Sequence, residues 1–173
     1  MDATKLEGST VMAPEGRDAQ MRAQIAHLLT WENAHANYDK AVEGLPPERR
    51  GARAAGFSHT PWQLVEHLRI AQRDILDFCR AEDYRELKWP DDYWPADDAP
   101  PNDSAWDGSA AAFRQDRQAL VALTEDPGTD LLAAVPNGNG QTYLRELLLA
   151  ADHTSYHVGQ LVAVRKALGA WGD

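Results

Sequence analysis

In four stretches of this chain apolar residues return every three or four positions, and nowhere do Val, Ile and Thr cluster with period two. That pattern leaves no material for a sheet, so the expected fold class is all-α. The first helical segment is expected from Asp18 to Glu43, with Met21, Ile25, Leu28 and Leu29 at helical spacing; Gly44, Pro46 and Pro47 end it. The second, in "SHTPWQLVEHLRIAQRDILDFCR", has the stronger start. Thr60 can cap, Pro61 suits the first helical position and Gln63 completes a capping box. Leu64, Leu68, Ala71, Ile75, Phe78 and Cys79 then share one face. A third segment is expected from Ser104 to Glu125, with Ser104 and Asp107 approximating a capping box. The fourth runs from Thr142 to Leu168 and stops at Gly169. Between the last two, "DPGTDLLAAVPNGNGQ" is turn material around one short piece. Four such segments in one chain predict an antiparallel four-helix bundle.

The connection from Tyr84 to Asn102 carries four of the ten prolines and has no period of either kind. A long, Pro-rich connection between the second and third helices is more often functional than accidental. Nine of the 27 acidic residues fall between Glu82 and Asp107, and such a run is expected to sit in solvent. The formal net charge of −10 argues against binding to nucleic acid or anionic lipid. No apolar run is long enough for a membrane span, and the N-terminus has no secretory pattern. One cysteine, Cys79, excludes an intramolecular disulfide and fits a reducing, cytoplasmic location. A chain of 173 residues suits a single domain, here residues 17–173 after a flexible tail at 1–16.

Histidine placement carries the chemistry. His153 and His157, in "ADHTSYHVGQL", are four residues apart on one helix, where two imidazoles can reach a single ion. The apolar stripe of that helix is Leu144, Leu147, Leu148, Ala151, Val158, Leu161 and Val162, and the pair falls on its flank. His67 stands at the margin of the second helix's stripe. Were the two helices neighbours, three neutral imidazoles would form a facial N3 set with open positions, the pattern of catalytic metal sites. Taken alone, a histidine like His67 reads first as a hydrogen-bonded core residue. Thr154 stands where a zincin has its catalytic glutamate, so metalloprotease chemistry of that type is disfavoured. Glu32, His35 and Asp39 continue the line of Met21, Ile25 and Leu28, which marks either a cleft or an exposed helix end. Asp74 and Asp152 are candidate acceptors for ligand N–H groups. His59 would sit at a cleft mouth or finish a turn, and His27 belongs on the surface.

Two motifs carry a resemblance to a known family: Trp62, His67 and Leu68 at the start of the second helix, and His153, His157, Gly159, Gln160 and Leu161 in the fourth. On these the chain resembles the DinB/YfiT-like superfamily of metal-binding four-helix bundles, over nearly its whole length after residue 17. The resemblance implies that His67, His153 and His157 bind one divalent metal, zinc or nickel, and that the protein is a homodimer. Relatives with known activities include thiol-dependent transferases and isomerases. The expected function is therefore a metal-dependent thiol S-transferase or hydrolase acting on a small molecule, with a low-molecular-weight thiol as possible co-substrate. His35, Asp39 or His59 would move protons or orient substrate. The competing expectation is a non-catalytic or stress-response bundle in which the ion only ties two helices together.

Overall fold

The computed structural model describes residues 16–30 and 34–172. Among them it has six α-helices, α1 (Gly16–Leu29), α2 (Tyr38–Val42), α3 (Pro47–Arg50), α4 (Pro61–Arg80), α5 (Asp103–Glu125) and α6 (Tyr143–Ala167), and no strand. The expected tail lies outside the described residues apart from Gly16, which begins α1.

Local chemistry explains most of the boundaries. Thr60 caps α4 in a complete capping box with Gln63, and Pro61 occupies the first turn. Thr142 caps α6, which closes at Leu168 with Gly169 in the left-handed region at φ 63°. The cap of α5 is Asn102, not Ser104: the Asn102 side chain accepts the Ala105 N–H at 2.9 Å and also the Ser104 hydroxyl at 2.7 Å.

The single first helix from Asp18 to Glu43 is not observed. At the end of α1 the Thr30 hydroxyl donates to the carbonyls of Ala26 and His27. Asn37 then caps a new helix by accepting the Lys40 N–H. That restart buries Tyr38, which stacks on Phe113 with ring centroids 3.8 Å apart. The core face of α1 is Arg22, Ile25, Ala26 and Leu29; of the expected apolar line Ile25 and Leu29 are buried, while Met21 and Leu28 are exposed.

Two apolar clusters fix the helix directions. One joins the first halves of α4 (Leu64, Val65, Leu68) and α5 (Trp106, Ala110, Phe113) to the second half of α6 (Val158, Leu161, Val164). The other joins Ile75 and Leu76 of α4, Leu120 of α5 and Leu147, Ala150 and Ala151 from the first half of α6. So α4 and α5 point the same way and α6 points back. Arg22 of α1 donates to the carbonyls of Thr124, Asp126 and Thr129 at and just beyond the end of α5, and α1 leads towards α2 in the first cluster. The expected antiparallel succession therefore requires correction, because α4 and α5 are parallel neighbours. Parallel neighbours need a connection that returns the length of a helix.

Residues 81–102 are that return, and they run back along α4 as a strap. Tyr84 meets Phe78 and Asp74, and Tyr93 meets Asp74 and His67. Farther along, the Asp98 carbonyl accepts the Thr60 hydroxyl at 2.6 Å, and its carboxylate pairs with Arg53. The acids Asp91, Asp92, Asp97 and Asp98 are exposed, while Tyr93 and Trp94 are half-buried beneath. The strap ends close against α3, where a Cβ on Gly51 would stand 3.0 Å from the Ala99 Cα. Replacing Gly51 by Ala should cost about 1–3 kcal/mol through this overpacking. A denaturant titration followed by tryptophan fluorescence would measure it, and an unchanged midpoint would refute the close approach.

Candidate metal centre

Helices α4 and α6 pack together, and three imidazoles meet between them: His67, His153 and His157, with ligand atoms all within 4.8 Å of one another. His67 and His157 are buried and His153 is partly exposed. The Nε2 atom of His67 lies 3.0 Å from that of His153 and 3.1 Å from that of His157.

The other ring nitrogens decide what these Nε2 atoms are. His67 donates Nδ1–H to the Tyr93 carbonyl at 2.9 Å, and His157 donates Nδ1–H to Gln160 Oε1 at 2.8 Å. An oxygen of either kind only accepts, so both neutral rings carry their proton on Nδ1 and a bare lone pair on Nε2. Two lone pairs then face each other at 3.1 Å. A proton on His153 can satisfy only one such contact, whereas a divalent cation among the three satisfies all of them. The donor set fits such an ion chemically, and its N–H acceptors are the supports that ligating histidines require.

Burial keeps the rings neutral. It lowers His67 to about 4, against the Tyr93 hydrogen bond that raises it, with His157 and His59 lowering it further. Burial, then His157 and His67, lowers His153 to about 3. His157 is also lowered, by burial first, in spite of its bond to Gln160.

The strap completes the site. Trp94 stacks on His67 at 3.8 Å and 3°, and on His59 at 3.9 Å and 12°. Two rings cannot share one face at those distances, so the indole is sandwiched between them. Asp74 accepts the hydroxyls of Tyr84 at 3.0 Å and Tyr93 at 2.6 Å. It thus holds the strap that supplies the carbonyl to His67, and meets no ligand directly. Asp152 and His27 are exposed.

Of the residues expected to assist, His59 reaches the cluster's surroundings. His35 and Asp39 stand elsewhere. His35 lines a crevice with Thr154, Ser155 and Val158, none of which belongs to the histidine cluster. Burial raises the Asp39 carboxyl, but hydrogen bonds from Arg114 and Arg117 outweigh it and hold the group below its usual value. Asp39 lines a depression of about 720 Å³ beside α2 and α5. Glu32 lies outside the described residues.

A model of the DinB superfamily matches residues 21–161, a span that contains both histidine motifs and the strap. The chain belongs to the DinB superfamily. No curated protein and no solved structure matches it. Membership in the DinB superfamily agrees with the all-helical structure and with a three-histidine cluster that can hold a metal. Tyr93 and Trp94 belong to no motif in the sequence, and Gln160 stands in the second motif with no role assigned to it. Only Gln160 left a signal, three residues after His157 and so on the same helix face.

The depressed histidines make a pH prediction for metal-free protein. Between 6.5 and about 4 the unfolded chain binds protons that folded His67 and His153 refuse. Stability is therefore present above pH 6.5 and lost as pH falls towards 4. Urea midpoints at pH 7 and 4.5 should show the drop, and His153→Gln should reduce it; equal drops would contradict the assignment. Separately, Gln160→Leu should weaken metal binding by about 10- to 100-fold in chelator competition.

Proposed function

We propose that this DinB-superfamily protein is a metal-dependent enzyme, of thiol S-transferase or hydrolase type, acting on a small molecule. The observation that carries the reading is the convergence of bare Nε2 lone pairs from His67, His153 and His157, with His153 partly exposed. These residues would hold one divalent ion, zinc or nickel, both of which accept imidazole ligands. Such an ion lowers the pKa of a bound water or thiol and polarises a carbonyl.

The protein's own groups do the remaining work. Tyr93 and Gln160 fix ring orientation and tautomer through Nδ1. Trp94 covers the His67 ring and excludes water from that side. Burial first, and then Arg53, lowers His59, so its imidazole is neutral at pH 7 and can take a proton at a ring nitrogen. His35 and Asp39 have no part in this reading. The partial exposure of His153 favours catalysis over a purely structural ion, since structural sites are closed. A cytoplasmic location without nucleic-acid or membrane partners accords with the net charge of −10 and the single cysteine, and a homodimer is what the resemblance to the family implies; among the described residues no helix is long and apolar enough to cross a membrane.

Protein purified without a histidine tag should contain close to one divalent ion per chain by elemental analysis, and His157→Ala should lose it. The cobalt-substituted protein should change its visible spectrum when 2-mercaptoethanol is added. Bound metal with a spectrum indifferent to thiol would favour the structural role, and no metal at all would end the proposal.

A further inference from the structure

Gly159 has no structural task in α6. It lies in the helix interior, is exposed, has no positive φ, and a Cβ built there would meet nothing within 4 Å among the described residues. Glycine is the poorest helix former after proline, so alanine would serve the helix better. The space beside Gly159 is a groove of about 500 Å³ between α6 and the turn at 56–59, a volume in the range of small-molecule sites.

The groove's lining is chemically one-sided. Phe57, Leu64 and Tyr156 give it apolar and aromatic surface, His59 and Gln160 give it polar atoms, and among the described residues no Asp, Glu, Lys or Arg lines it. Its polar end belongs to the histidine cluster. Gln160 accepts the His157 Nδ1–H, His59 stacks on the indole that covers His67, and the Tyr156 ring lies 4.9 Å from that of His157.

We infer that this groove binds the uncharged aromatic or alkyl body of the substrate against the bare backbone of Gly159, with the reacting polar group directed to the histidines. The inference rests on the metal-enzyme reading and deepens it. An anionic molecule finds no counter-charge among the lining residues, so the groove selects the apolar reactant and not a charged thiol. The open position at Gly159 is what lets a flat body lie on the helix, as a side chain there would occupy the same space.

The test uses the metal-loaded full chain and 2-naphthol as probe, with naphthalene-2-sulfonate as its anionic counterpart. Saturable 2-naphthol binding is expected, about tenfold or more weaker in Gly159→Leu. Gly159→Ala should weaken it several-fold while raising the melting temperature by about 2 °C, and this variant decides the matter should the leucine protein fail to fold. Metal content should be unchanged in both variants. Unaltered 2-naphthol affinity in the variants, tighter binding of the sulfonate, or a dimer that dissociates on Gly159→Leu would each overturn the groove assignment. Metal retained while naphthol ignores Gly159 would sink the groove alone; naphthol displaced by leucine in a protein that never holds metal would sink the metal reading alone.

Discussion

The hydrogen bond from His67 Nδ1 to the Tyr93 carbonyl joins the longest connection in the fold to its most buried imidazole. It does three things at once. It satisfies a donor that burial would otherwise penalise, it fixes the tautomer, and it turns the Nε2 lone pair towards α6. Without it, His67 could present a proton to His153 and His157, and the cluster would be an ordinary hydrogen-bonded trio. Asp74 guards the same bond from one step away by gripping the Tyr84 and Tyr93 hydroxyls.

The strap exists because of helix direction. With α4 and α5 parallel, the chain must climb back along α4 before α5 can begin, and the histidines lie beneath that climb. Its acidic residues face water while its aromatics face inward, so one segment is both solvated edge and cover of the histidine cluster. At the waist between the two apolar clusters two buried polar residues have partners: Gln72 donates to the Phe113 carbonyl at 2.7 Å, and Asp116 pairs with Arg73.

Much of this was legible in the sequence, for physical reasons. Capping boxes and helical stripes are local, so α4 and α6 could be placed to within a residue at their starts. The three histidines were legible because two sat at chelating spacing and the third at the edge of an apolar face. What failed was non-local. Nothing near Asn37 announces that its side chain outcompetes continuation of α1, since the gain comes from burying Tyr38 against distant Phe113. Helix direction was misjudged because it is set by which halves share a core, and loop length was the only available hint. The acceptors for His67 and His157 differ in the same way: Gln160 is a neighbour in sequence, whereas the Tyr93 carbonyl is a backbone atom that any residue would carry. The ion pairs of Asp39 are non-local in the same sense, since its two arginine partners, Arg114 and Arg117, lie on another helix.

The order in which the chain is made bears on the histidine cluster. One ligand and its carbonyl support precede α5, while the other two ligands belong to α6, which is synthesised after them. Their pairing spans nearly ninety residues, so its loop-closure entropy is met only when α6 docks. An ion held by all three histidines can therefore act as a latch on a finished fold, but not as a seed for it.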